Sequence, residues 1–239
     1  LESSGASFTY MKVCVVDPGP AMPPFNSRNA LVDQQYRDFL GRNATASELT
    51  FWAGTNSATG KAYTGREIVN YFVTQDAAKR GPLVRLYKAY YKRWPDAGGY
   101  DYWVRKMKNG ASLSSVSDYF AKSSEFQRTY GSLSNEQFVS LVYTNVLGRV
   151  GDQAGYNYWL KKLNDKKITR GGLMIQFSES SEFKRKYGLD CDLVGVSLRM
   201  YRRPATDTEL AQWNPDESAE TLAYPIIFQS AEYANRVIK

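Results

Sequence analysis

The chain contains no histidine in 239 residues. That removes the commonest general base and the commonest metal ligand. Neither a Ser-His-Asp nor a Cys-His mechanism is available, and a histidine-containing zinc site is excluded. Cysteine is almost as scarce, with Cys14 and Cys191 alone. In an extracellular setting these two are expected to form one long-range disulfide; two unrelated buried thiols are the other reading. No apolar run approaches the roughly 18 residues that a helical membrane span needs. No signal peptide is visible, and Leu1-Glu2-Ser3-Ser4-Gly5 reads as an already processed start. Acidic residues are outnumbered, giving a net charge of +7, but the excess is scattered in pairs. That suits a solvated surface first and a polyanionic partner second. No nucleic-acid motif is present.

What is abundant is a recurring frame. It reads Arg42-x-x-Thr45-x-x-Glu48-x-x-x-Trp52, then Arg93-x-x-Asp96-x-x-Gly99-x-x-x-Trp103. It returns as Arg149-x-x-Asp152-x-x-Gly155-x-x-x-Trp159 and as Arg203-x-x-Thr206-x-x-Glu209-x-x-x-Trp213. Ungapped recurrence at intervals of about fifty residues marks an internal repeat. Sixteen residues before the tryptophans stand Tyr36, Tyr87, Tyr143 and Ser197, and after them come Phe72, Phe120, Phe177 and Phe228. The last three copies then run Ser123-Ser124-Glu125-Phe126, Ser180-Ser181-Glu182-Phe183 and Ser230-Ala231-Glu232-Tyr233. The first departs here, with Thr74-Gln75-Asp76-Ala77. End copies drift because one face of each lacks a neighbour.

Within a copy the pattern is helical. Phe138, Leu141, Val142, Asn145 and Val146 follow the spacing of one helix face, and Gly148 stops that helix. Asp152 caps a second helix carrying Trp159 and Leu163, which Asn164-Asp165 ends. Thr169 caps a third through Phe177, and Ser180 or Ser181 caps a short fourth turn closed by Gly188. The second copy matches, with Asn109-Gly110 as its turn. Ahead of the copies, Phe8–Val16 reads as one strand or extended arm, followed by proline breaks at Pro18, Pro20, Pro23 and Pro24. The expected fold is all-α, an array of four helical repeats of about fifty residues. It divides into an extended arm at 1–27 and repeats at 28–81, 82–133, 134–189 and 190–239.

The string Leu147-Gly148-Arg149-x-x-Asp152-x-x-Gly155-x-x-Tyr158-Trp159, with Phe177-x-x-Ser180-x-Glu182-Phe183 and Tyr187-Gly188, resembles the bacterial family known as domain of unknown function 4214. The second copy resembles it nearly as well, with Tyr91-Lys92 in place of Leu-Gly. The first and fourth fit in outline only. The repeats also look distantly like those of phycobilisome linkers. The resemblance implies a helical, extracytoplasmic, accessory module and no known catalytic residues.

The frame arginine and tryptophan suit structural roles, at a helix end and in an inter-helix core. Asp96 and Asp152 suit caps, and one carboxylate per turn falls short of a calcium site. Glu125 and Glu182 are the carboxylates that would tempt a glycosidase reading, but a catalytic pair recurs once, not in every copy. No catalytic residue, metal or cofactor is therefore expected. The candidate ligand residues are aromatics that the core does not need. These are Tyr100 and Tyr102 with Arg105, and Tyr156 and Tyr158 with Asn157 and Lys161. Sugar rings stack on such faces while polar neighbours meet the hydroxyls. The expected function is a secreted or cell-surface, non-catalytic module binding a glycan or cell-envelope polymer. The alternative is an assembly module binding another surface protein, with a glycoside hydrolase a distant third.

Overall fold

The computed structural model describes residues 23–213, 227 and 230–238. The expected strand at Phe8–Val16, Cys14, Pro215, Pro225 and Phe228 lie outside those residues. Among the described residues the fold is all-α, as the periodicity predicts, apart from one hairpin of two-residue strands. Helix α1 (Arg28–Gln35) runs on into a π-helical turn (Tyr36–Leu40), and α2 (Ala46–Ala53) carries Trp52. The longer loop after it folds into β1 (Thr55–Asn56) paired antiparallel with β2 (Lys61–Ala62). Then follow α3 (Gly65–Tyr91), α4 (Ala97–Lys108), α5 (Leu113–Lys122) and the short α6 (Ser124–Phe126). After α6 the chain passes through a second π-helical turn (Gln127–Gly131). Next come α7 (Asn135–Val142) with its own π-helical turn (Tyr143–Leu147), α8 (Gln153–Asn164), α9 (Arg170–Ser178) and α10 (Ser181–Met200). The last two are α11 (Asp207–Trp213) and α12 (Ala231–Val237).

Local chemistry explains the boundaries. The residue before each frame arginine is left-handed: Gly41, Lys92, Gly148 and Arg202, at φ of 70°, 58°, 75° and 64°. That conformation ends the preceding helix, and glycine adopts it without a Cβ clash. Frame position four then caps the next helix. Asp96 and Asp152 each accept a 2.8 Å bond from the backbone amides of Gly99 and Gly155. Thr45 and Thr206 do the same for Glu48 and Glu209, whose carboxylates reach back to the threonine amides at 2.8 Å. So Thr-x-x-Glu is a capping box and Asp-x-x-Gly a simple cap. In Ser-x-Glu-Phe it is the first serine that caps. Ser123, Ser180 and Ser230 accept from the amide three residues on and donate to the carbonyl three residues back.

Two expectations fail at helix junctions. Gly188 does not stop a helix, because α10 passes through it. A Cβ there would meet only Lys184 at 3.8 Å, so nothing at this site demands a break. The limits drawn at 81/82 and 189/190 also fall inside helices, α3 and α10, the first despite Pro82. Leu83, Val84 and Leu86 just beyond are fully buried, and that burial outweighs the lost amide. The limit at 133/134 coincides with a cap, where Ser134 and Gln137 form a capping box.

Contacts divide the chain into two compact units. The first takes Leu1–Asp76, Arg199–Tyr201 and Thr206–Lys239; the second takes Ala77–Leu198 and Arg202–Ala205. Helices α1, α2, α11 and α12 thus belong to the first unit and α4 to α9 to the second. In the second unit α5 packs along α9. There the Ser117 hydroxyl bonds the Gly171 carbonyl at 2.8 Å, and the Tyr90 hydroxyl bonds the Ser117 carbonyl at 2.8 Å. In the first unit Asp38 meets Tyr233 and Arg236, and Arg199 lies 3.3 Å from Asp76 in a buried ion pair.

In each of the first three copies the core is built round one phenylalanine. Phe72 lies between Tyr36 at 4.9 Å and Trp52 at 6.0 Å, centroid to centroid. Phe120 lies between Tyr87 at 4.8 Å and Trp103 at 5.4 Å. Phe177 lies between Tyr143 at 4.8 Å and Trp159 at 5.9 Å. Trp52, Trp103 and Trp213 are buried, whereas Trp159 is half-buried rather than covered as expected. Position 176, before the central Phe177, is a glutamine, whereas tyrosines precede Phe72 and Phe120 and lie against Trp52 and Trp103.

Candidate functional site

The frame arginine acts alike in the first three copies. Its guanidinium donates to the next residue's carbonyl, Arg42 to Asn43, Arg93 to Trp94 and Arg149 to Val150. It also clamps a carboxylate with two bonds. Arg93 holds Glu125 at 3.1 and 3.0 Å, and Arg149 holds Glu182 at 2.5 and 2.8 Å. The first copy lacks the Ser-x-Glu-Phe glutamate, and there Arg42 takes Glu48 of the capping box at 2.8 and 2.6 Å. In the fourth copy Arg203 donates to the Pro204 carbonyl. Glu125 and Glu182 are therefore each committed to an arginine. Arginine bonding lowers the pKa of Glu182, and the same cause takes Glu48 down to about 2.

In the second and third copies a side chain at the frame glycine would meet a tyrosine hydroxyl. A Cβ on Gly99 would lie 2.9 Å from the Tyr87 hydroxyl, and one on Gly155 would lie 2.5 Å from that of Tyr143. In those copies the tyrosine occupies the space above the second-helix start. Burial pushes the pKa of the Tyr87 hydroxyl up to about 12, so it remains neutral.

The structure separates the candidate ligand residues. Tyr100 is wholly buried, which removes it from any ligand site. Its position, four after the Asp96 cap and three before Trp103, faces the core. Tyr156 is half-buried, and its hydroxyl reaches the Glu136 carbonyl at 3.4 Å. It lines a groove of about 460 Å³ with Leu133, Gln137, Ser140 and Thr144 of the α7 region. Asn157 is exposed and accepts a 2.9 Å bond from Gln153. Lys161 is exposed but paired with Asp165 at 3.0 Å. Arg105 is exposed.

Tyr102 and Tyr158 face solvent, 39% and 51% exposed. Each stands edge-on to the adjacent tryptophan, at 5.0 Å from Trp103 and 4.8 Å from Trp159. They lie on different helices, α4 and α8, as separate faces. Sequence reasoning missed three further rings of this kind: Phe51, Tyr71 and Tyr119, at 59%, 51% and 59% exposure. Phe51 and Tyr71 flank Trp52 at 5.1 and 5.2 Å, with Tyr63 completing the cluster, and Tyr119 flanks Trp103 at 4.9 Å. The signal that could have found them is the residue before the central phenylalanine, Tyr71 and Tyr119. On a helix it turns about 100° away from the phenylalanine's face.

The expected Cys14–Cys191 bond finds no support at its described end, and Cys14 lies outside the described residues. Cys191 is a free thiol on the inward side of α10, fully buried, and burial raises its pKa. Among the described residues no cluster of three or more carboxylates or thiols is placed to hold a metal ion. No helix among them is long and apolar enough to cross a membrane.

These features define an all-helical protein built on repeated Tyr–Phe–Trp cores with solvent-facing aromatic edges. Residues 83–127 and 116–187 match the family described as Domain of unknown function (DUF4214), and the segment they cover belongs to that family. No curated protein and no solved structure matches the chain.

Proposed function

We propose that this protein is a non-catalytic module that binds glycan at the bacterial cell surface or outside the cell. The observation that carries the reading is the division of labour round each tryptophan. The tryptophans at 52, 103 and 159 pack against the core phenylalanine, while the ring one residue earlier, Phe51, Tyr102 or Tyr158, is left in solvent. A ring that is not needed for stability but held rigidly by an edge-on neighbour suits stacking on a pyranose. The arginine clamps on Glu125 and Glu182 speak against a hydrolytic carboxylate pair. The free Cys191 withdraws one support for an oxidising location, which now rests on the family resemblance alone.

Affinity electrophoresis through gels containing different polysaccharides tests this. The chain should be retarded by at least one, and Tyr102→Ala with Tyr158→Ala should release it. Free migration through every gel would sink the reading. The protein-binding alternative draws on the first copy, where Phe51, Trp52, Tyr63 and Tyr71 form a cluster with a hydroxyl-free ring outermost. Self-association or partner binding lost on Phe51→Ser, with no retardation by glycan, would favour it.

A further inference from the structure

The exposed tyrosines of α4 and α8 carry cations in matched positions. Arg105 and Lys106 follow Tyr102 by three and four residues, and Lys161 and Lys162 follow Tyr158 in the same way. Residues so spaced share a helix face. The Lys106 ammonium lies 5.5 Å from the Tyr102 ring centroid. That of Lys162 lies 4.5 Å from Tyr158 and 5.5 Å from Trp159. The nearby carboxylates are already occupied. Asp101 pairs with Arg202, and Asp165 takes both Lys161 at 3.0 Å and Lys167 at 3.6 Å. Among the described residues no carboxylate pairs with Arg105, Lys106, Lys108 or Lys162.

A cation in a last helical turn meets the negative end of the helix dipole. That accounts for its presence, but not for its lying beside an exposed ring in both helices with no counter-charge. We propose that the two faces recognise an acidic glycan, one whose sugar rings bear carboxylate or sulfate groups. The tyrosine takes the ring, and Lys106 or Lys162, with Arg105 in the second copy, takes the acid. This rests on the glycan reading above and narrows it. The first copy supplies an internal contrast, since Thr55 stands four residues after Phe51 and brings no ammonium. That face is outside the acidic site.

The test is titration calorimetry of the whole chain against polygalacturonate, alginate and chondroitin sulfate, neutral counterparts including methyl-esterified polygalacturonate, and inorganic polyphosphate. An acidic polysaccharide should bind about ten-fold more tightly than its neutral counterpart, with affinity falling as salt rises. Lys106→Gln with Lys162→Gln should remove that preference while leaving the thermal midpoint unchanged. Equal binding of acidic and neutral forms, or binding of neutral polymers alone, overturns the acidic specificity and leaves glycan binding standing. Polyphosphate bound as tightly, and unaffected by Tyr102→Ala with Tyr158→Ala, would show a plain polyanion surface and overturn it too. Binding of no polysaccharide, acidic or neutral, removes both this proposal and the reading beneath it.

Discussion

The Tyr233 hydroxyl donates a 2.7 Å hydrogen bond to the Asp38 carboxylate, 195 residues away in sequence. Asp38 also accepts from Gln34 at 2.8 Å and from Arg236 at 2.5 Å. The first and last described helices are thereby tied within one unit. Its counterpart in the other unit is neutral, with Asn145 donating to the Tyr130 hydroxyl at 2.9 Å. Burial, the largest influence, raises the pKa of Asp38 against the opposing pull of Arg236 and the two neutral donors. Tyr233 is held well above its ordinary range by burial and by the charge of Asp38, so it stays a donor.

Removing a donor from a buried carboxylate costs more than breaking a neutral pair. Tyr233→Phe should lower unfolding free energy by about 1–3 kcal/mol, and Tyr130→Phe by about 0.5–1.5 kcal/mol. Denaturant titration of both variants checks the order. If Tyr233→Phe costs no more than Tyr130→Phe, the charged junction is not what ties α12 to the turn after α1.

Two glycines should respond in opposite directions to alanine. Gly195 lies inside α10, and a Cβ there meets nothing within 4 Å. Gly195→Ala should stabilise by about 0.5–1 kcal/mol through helix propensity. At Gly155 the new methyl would stand 2.5 Å from the Tyr143 hydroxyl and 3.2 Å from Asp152. Displacing both a core ring and a cap should cost about 1–3 kcal/mol. Thermal melts that ranked the two variants the other way would contradict the steric account of the frame glycine.

Acid should weaken the arginine clamps. Glu48 is depressed to about 2 from 4.5, first by its bond to Arg42 and then by the Thr45 amide. A carboxylate with a lowered folded pKa contributes stability above its ordinary value and loses it as pH falls. The loss at Glu48 therefore lies between about pH 4.5 and 2. Glu182 shifts in the same direction through Arg149. Asp38 acts oppositely: its raised folded pKa gives stability that is present below its ordinary value and lost as pH rises. Glu48→Gln with Glu182→Gln should flatten the fall in denaturation midpoint across the acid window. An unchanged profile would mean that the clamps contribute nothing on folding, as many exposed ion pairs do.

The second and third copies were legible because their determinants are local. A cap, a turn glycine and a helix-face spacing all act within a few residues, so Asp152, Gly110 and Ser180 could be read from the sequence. The continuous helices through Gly188 and Pro82 could not, because burial of Leu83 and Val84 outweighs a local breaker. The partners of Arg93 and Arg149 lie about thirty residues on, beyond the reach of spacing arguments on one helix. The site was half legible for the same reason. A tyrosine's exposure depends on which face its neighbours cover. Tyr100 and Tyr102 differ by two positions, yet one is wholly buried and the other 39% exposed.

That contrast gives the last prediction. Tyr100, Tyr102 and Trp103 lie within one turn of α4, but they should separate cleanly on replacement by alanine. Tyr100→Ala removes a fully buried ring, and Trp103→Ala removes a buried contact with Phe120 and Tyr119. Each should cost about 3–5 kcal/mol. Tyr102→Ala and Tyr158→Ala remove solvent-facing rings and should stay within about 0.5 kcal/mol of the parent. Trp159→Ala should fall between the two groups, because its ring is half-buried and Gln176 stands where Tyr71 and Tyr119 flank Trp52 and Trp103. Unfolding curves for the five variants decide the matter. If Tyr102→Ala or Tyr158→Ala destabilises the chain as much as Trp103→Ala, those rings belong to the core. A loss of glycan binding on their removal would then report misfolding instead of a contact.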